Sequence, residues 1–111
     1  MHGLWFKAPN KSQDIMYVKI HHTKYRDVVA ICDKDLIGKK FSENNLELNI
    51  SERFYKGNNL DDEEVIIIMK NSEALNIVGK KSVELAIKNN IVSKNQVITI
   101  QGIPYAQYCT L

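Results

Sequence analysis

From Ile15 to His22 the side chains alternate, with Met16, Val18 and Ile20 on one side and Tyr17, Lys19 and His21 on the other. That period of two predicts a strand with one buried face. Thr23-Lys24-Tyr25-Arg26-Asp27 then interrupts the pattern, and Val28 to Cys32 is an unbroken apolar run of the kind found in strands buried on both faces. The two segments are expected to form an antiparallel hairpin. Asp33-Lys34-Asp35 makes a turn, and Gly38 can supply a positive φ before Lys39-Lys40-Phe41. Leu46 to Ile50 alternates again as a strand, preceded by the turn-forming pair Asn44-Asn45.

Lys56-Gly57-Asn58-Asn59 reads as the clearest loop of the chain, too short for a domain linker. Asp61 followed three positions later by Glu64 has the spacing of a capping box, and the carboxylates of Asp62 and Glu63 suit the positive end of a helix dipole. A helix is therefore predicted from about Asp62 to Asn71, with Val65, Ile68 and Met69 as its buried stripe, although Val65-Ile66-Ile67-Ile68 also fits a strand. Leu75 to Val78 predicts a short buried strand. After Gly79, the residues Val83, Ala86 and Ile87 define a second amphipathic helix ending near Asn89-Asn90. Val97 to Ile100 is rich in β-branched residues and predicts another strand after the Ser93-Lys94-Asn95 turn. Strand, helix and strand make a βαβ crossover, expected to be parallel and right-handed. The predicted class is α/β, in the α+β sense: one small domain in which N-terminal antiparallel hairpins precede a helix and a βαβ unit, all forming a mixed sheet.

The chain has 111 residues, 44% of them hydrophobic and 25% charged, which is the composition of a single globular domain and not of a disordered segment. Its longest apolar runs, such as Val65 to Met69, are far below the ~20 residues a spanning helix needs. Met1 to Asp14 lacks the continuous apolar stretch of a secretory signal, so a cytoplasmic protein without a membrane partner is expected. Cys32 and Cys109 form no CxxC pair and are read as reduced thiols. The net charge of +2 is small but uneven, since both ends of the sequence are basic and the middle is acidic. That asymmetry is compatible with a basic face for RNA, unless folding interleaves the segments.

Candidate chemistry gathers at three places. His21, His22, Lys24, Tyr25 and Arg26 crowd around the predicted hairpin turn, where cations and an aromatic ring can meet phosphates and unstacked bases; the plain alternative is a solvated turn. Adjacent His21 and His22, with Cys32 across the hairpin from one of them, invite a metal reading, but neighbouring strand residues point to opposite faces and no third ligand is evident, so no metal is expected. Gly79-Lys80-Lys81-Ser82 resembles the end of a phosphate loop, but Ala74 stands where the first glycine would be and Lys81 where the magnesium-binding Ser or Thr would be. Nucleotide hydrolysis is thereby disfavoured, while an RNA phosphate at this helix start, held with Lys80 and Lys81, stays open. Arg53-Phe54-Tyr55-Lys56-Gly57 mixes cations with rings, and core packing is the expected role of Phe54. Gly102-Ile103-Pro104-Tyr105-Ala106-Gln107, beyond the last predicted strand, either terminates the sheet or lines a surface site. No catalytic triad, nucleophile-base pair or paired-carboxylate site stands out, and no cofactor is expected.

Taken in order, Met16 to His21, Val28 to Asp33, Leu36-Ile37-Gly38-Lys39, Arg53-Phe54-Tyr55, Asn76 to Gly79, Val83 to Ile87 and Gly102 to Gln107 form a pattern that resembles the archaeal family of domain of unknown function 424. The resemblance spans Met16 to Gln107 and implies an archaeal cytoplasmic protein, with no activity or catalytic residue to carry over. The family's closing motif usually has His where this chain has Tyr105, which argues against essential imidazole chemistry there. Because family members begin at the equivalent of Met16, residues 1–15 are expected to be an N-terminal extension or the product of an early start codon, 16–107 the domain and 108–111 a tail. The leading expectation is a non-catalytic RNA or ribonucleoprotein binding module linked to translation, with RNA or a ribosomal particle as partner. Two rivals are a small enzyme or ligand-binding protein using Gly79, Gly102, Pro104, Tyr105 and Gln107 at the carboxyl ends of the βαβ strands, and a protein-only adaptor binding through an exposed sheet edge.

Overall fold

A computed structural model describes residues 16–110. The proposed N-terminal extension lies outside the described residues. The first two strands, β1 (Met16–His22) and β2 (Asp27–Asp33), pair antiparallel as the alternation predicts, with Val18 opposite Ile31 and His21 opposite Val28. Ala30, Ile31 and Cys32 are fully buried, so β2 is covered on both faces. A short 3₁₀ turn (Lys34–Leu36) follows, and Gly38 takes a φ of 85°. Next comes a separate hairpin of β3 (Lys40–Glu43) and β4 (Leu46–Asn49), turned by Asn44 and Asn45, both at positive φ as a two-residue hairpin of this hand requires.

Helix α1 (Glu52–Tyr55) is one turn long, with the Ser51 hydroxyl accepting from the Phe54 N–H. The segment that reads as a loop then contains an edge strand, β5 (Asn58–Leu60), pairing with β1. Gly57 brings the chain onto β1 so closely that a Cβ there would lie 2.2 Å from the Val18 carbonyl oxygen. The capping box of Asp61 and Glu64 is formed and opens α2 (Asp62–Lys70), which buries Val65 and Met69 and leaves Ile67 exposed. Helix, not strand, is thus the state of the Val-Ile-Ile-Ile run.

Strand β6 (Ala74–Val78) runs parallel to β2 and leads through Gly79 into α3 (Lys80–Lys88), after which β7 (Ile98–Ile100) and β8 (Ile103–Cys109) form a final hairpin. The sheet order is β5-β1-β2-β6-β8-β7. The crossover β6–α3–β7 does return to a strand of the same direction, but the two strands are not neighbours: β8 lies between them, antiparallel to both. The segment from Gly102 to Gln107 accordingly does not end the sheet. It fills the gap in a split βαβ unit, and the strand runs on through Tyr108 and Cys109 of the expected tail, with the Thr110 N–H donating to the Glu73 carbonyl.

One face of the sheet is covered by α2 and α3, over Met16, Val18, Val29, Ile31, Leu75, Ile77 and Ala106. Strand alternation sends Ala30, Cys32, Val78 and Ile100 to the other face, where they meet Leu36, Leu48, Ile50 and Tyr55. That second cover comes from the β3–β4 hairpin and from α1, which reaches along β1 as far as His21. Beyond these covers His21 and Asn76 are half-buried and Gln107 is exposed, so this face is left partly open toward the β1–β2 turn.

Candidate functional site

The residues singled out from sequence separate into two groups at opposite ends of the sheet. His21, His22, Lys24, Tyr25 and Arg26 lie at the β1–β2 turn, where β2 begins. Lys80 and Lys81 lie where β6 ends, and β6 is parallel to β2. No single surface collects both.

At the α3 start the anion position is already filled. The Asp33 carboxylate, 7% exposed, accepts from the Lys81 N–H at 3.1 Å, the Ser82 N–H at 2.8 Å and the Ser82 hydroxyl at 2.7 Å. Gly79 has a φ of 112°, and a Cβ on it would lie 2.3 Å from the Asp33 carboxyl carbon, so only glycine admits this approach. The helix N-terminus thus draws a negative group from β2 in place of a phosphate. The Lys81 and Ser82 N–H groups, which an RNA phosphate at this helix start would need, are thus already in use. Asp33 sits 49 residues from Ser82 in sequence, where it reads only as part of a turn. Its signal is an acid that directly follows the apolar run Val28 to Cys32, matched to a Gly-led helix start.

At the other end, His21 and His22 point to opposite faces. His21 Nε2 lies 2.8 Å from the Phe54 carbonyl oxygen, and its ring stacks on Phe54 with centroids 4.4 Å apart. His22 Nδ1 lies 2.9 Å from an Asp27 carboxylate oxygen at an exposed position. The pairing register sets Cys32 opposite Tyr17, not opposite either histidine. Among the described residues no three His, Cys, Asp or Glu side chains come together as a metal site. Cys32 is buried, and burial with the nearby Asp33 and Asp35 carboxylates pushes its thiol up to about 12. Arg26 reaches across to β8, donating to the Thr110 carbonyl at 2.6 Å and to the Cys109 sulfur at 2.8 Å. At the tip, Tyr25 is 85% exposed, with Lys24 Nζ 5.9 Å from its ring centre.

The residues of the candidate ligand pocket also divide. Gly79 donates its N–H to the Pro104 carbonyl at 2.9 Å, and Pro104 faces α3 beside Val83, Ile87 and Val97. Gly102 belongs to the β7–β8 turn with Gln101, both at positive φ. Tyr105 and Gln107 project on the opposite face. There the Tyr105 hydroxyl donates to Asn76 Oδ1 at 2.8 Å and Gln107 Nε2 donates to the same oxygen at 3.0 Å. Above them opens a cleft of about 360 Å³ between α1 and β4, walled by Leu46, Phe54, Tyr55 and Ile98 and floored by Asn76 and Tyr105. Burial raises the Tyr105 hydroxyl above the ordinary tyrosine range. In sequence Asn76 reads only as one residue of a buried strand; an amide within an apolar run is its signal, since buried polar groups are the informative ones.

No helix among the described residues is long and apolar enough to cross a membrane. The architecture is that of a small α+β protein with a six-stranded mixed sheet and a separate two-stranded hairpin. The chain belongs to the family described as protein of unknown function (DUF424), whose model matches residues 20–111. Among solved structures it resembles an uncharacterised conserved protein from Methanopyrus kandleri, with a TM-score of 0.69 and 24% identity over 83% of this chain and 88% of that one. This second likeness is one of fold. No curated protein matches the chain.

Proposed function

We propose that this protein is a non-catalytic RNA or ribonucleoprotein binding module, acting in association with translation, whose contact surface is the β1–β2 turn and the open end of the sheet beside it. The observation that carries the reading is Tyr25: a large aromatic ring, 85% exposed at a hairpin tip, with Lys24 alongside and no burial to explain it. Exposed rings next to cations bind unpaired bases by stacking while the cation meets the phosphate. The His21–Phe54 stack continues this aromatic surface onto the open face. Lys80 and Lys81 are omitted from the proposed surface because they lie at the far end of β6. An adaptor working by strand addition is less well supported, since both edge strands, β5 and β7, are only three residues long.

The test is fluorescence anisotropy with short single-stranded RNA. Lys24→Ala with Tyr25→Ala should weaken binding about tenfold or more, because stacking one base on an aromatic ring contributes ~1–3 kcal/mol. The logarithmic salt dependence should also become shallower by about 0.7 for each phosphate that is no longer neutralised. Lys80→Ala with Lys81→Ala should change little. Equal affinity of the tip variant and the parent protein would remove the reading. Sedimentation of lysate with and without RNase addresses the translation link: RNase-sensitive migration with ribosomal subunits supports it, and migration as a free small protein in both gradients counts against it.

A further inference from the structure

We infer that the cleft above Asn76 is a receptor for one unpaired nucleobase, which deepens the RNA-binding reading and rests on it for the source of the base. The cleft is a built site. Its floor holds an amide whose oxygen is saturated: Asn76 Oδ1 accepts from both the Tyr105 hydroxyl and Gln107 Nε2. Those two bonds fix the amide plane and leave Nδ2 with no acceptor among the described residues, on a side chain that lines the cleft. Beside it stands Tyr55, only 4% exposed, whose hydroxyl also has no hydrogen-bond partner among the described residues. An orphaned hydroxyl at the depth of Tyr55 is costly and calls for a partner, here one that the cleft can admit and that also meets the Asn76 amide.

The walls define what that partner is. Leu46, Leu48, Ile98 and Ile100 on one side and Phe54 and Tyr55 on the other make a slot with aromatic and aliphatic sides, suited to a flat ring. A volume of about 360 Å³ is at the small end for ligand sites and fits a ring system better than a drug-sized molecule. Among the described lining residues there is no Lys or Arg, and Glu47 alternates on β4 away from the face that Leu46 and Leu48 present. An anionic ligand such as a phosphate is therefore disfavoured inside, while a neutral ring is not. Nδ2 of Asn76 offers donors and the Tyr55 hydroxyl offers either role, which together match a base edge carrying a carbonyl or ring-nitrogen acceptor beside an amino or ring N–H group. Phe54, which walls the cleft, is also the ring on which His21 stacks at 4.4 Å, so the slot adjoins the end of the sheet that bears Lys24 and Tyr25. A strand whose phosphates lie along the turn can turn a base inward here.

The experiment has two arms on the full chain. In the first, each of the four ribonucleosides is titrated into ¹⁵N-labelled protein and the side-chain amide signals of Asn76 are followed. In the second, binding of a short single-stranded RNA is measured for the parent, for Asn76→Leu, and for Lys24→Ala with Tyr25→Ala, after circular dichroism has verified folding. A base receptor requires that at least one nucleoside shift the Asn76 amide signals and that Asn76→Leu weaken RNA binding several-fold. RNA binding that depends on Lys24 and Tyr25, with Asn76→Leu neutral and no nucleoside shifting Asn76, overturns the base receptor while leaving the RNA reading intact. Nucleoside shifts at Asn76 with no RNA binding support the cleft and overturn the RNA reading, making the ligand a free nucleoside. Silence in both arms overturns both. Should Asn76→Leu not fold, the titration of the parent chain decides alone.

Discussion

Replacing Asp33 tests most sharply whether the carboxylate that joins β2 to α3 is structural. In Asp33→Ala the Lys81 N–H, the Ser82 N–H and the Ser82 hydroxyl lose their acceptor together. Loss of a helix cap costs ~1–2 kcal/mol, and each buried donor left unsatisfied adds ~1–3 kcal/mol. Ser82 is fully buried, so water does not readily replace the lost acceptor. A total of about 4 kcal/mol is expected, against the ~5–15 kcal/mol by which domains of this size are stable. Asp33→Asn keeps one oxygen for Ser82 but sets an amide N–H₂ against the Lys81 N–H, and about 2 kcal/mol is expected. Urea unfolding followed by circular dichroism measures both. A double-mutant cycle with Ser82→Ala should give a coupling of about 1 kcal/mol, since the two side chains share a bond. RNA affinity of folded Asp33→Asn should equal that of the parent. A cost below about 1 kcal/mol for Asp33→Ala, or RNA binding lost while stability is kept, would refute the structural assignment.

Gly79→Ala should be at least as damaging as Asp33→Ala, because its Cβ would strike the Asp33 carboxyl at a positive φ, and thermal unfolding reads this directly. Gly57→Ala should also unfold early, since its Cβ meets the Val18 carbonyl, a backbone atom that cannot swing aside. Alkylation of the native protein with iodoacetamide should add one label among the described cysteines, on exposed Cys109, and a second on Cys32 only after denaturation; rapid native labelling of Cys32 would contradict its burial. The Cys32 thiol, raised from 9.0 to about 12 in the fold, contributes stability that is complete below pH 9 and is lost as pH rises toward 12. Tyr55, raised by burial and by the neighbouring Tyr105 and Cys32, steepens the same loss above pH 10. Cys32→Ala should flatten the alkaline limb of stability against pH, and an unchanged slope would count against this cause.

Much of the fold is legible in the sequence because its determinants are local. The alternation of Met16 to His21, the apolar run of β2, the Asp61–Glu64 box and the Gly79 break each act within a few residues. What stays hidden depends on pairings distant in sequence. Nothing in Ile103 to Gln107 states that this strand enters between β6 and β7, and Pro104 reads as a terminator although it faces α3 within a strand. β5 is hidden by its asparagines, which suit an edge but resemble a loop. Strand β3, mostly exposed, has no apolar alternation to reveal it. The same limit applies to the site. The basic turn is visible as a cluster in sequence, whereas the Asp33 cap and the Asn76 floor each join residues far apart in the chain. Conversely, Lys80 and Lys81 resemble a phosphate site only while Asp33 is left out of account.

Ultraviolet crosslinking of the full chain to bound single-stranded RNA, followed by mass spectrometry of the peptides, probes RNA binding at the β1–β2 turn without altering any residue. Adducts are expected on the peptide bearing Tyr25 and on the one bearing Phe54, and both should disappear when excess unlabelled RNA competes. Adducts confined to the α3 peptide with Lys80 and Lys81, or no adducts at RNA concentrations that saturate known single-strand binders, would contradict RNA binding at this surface.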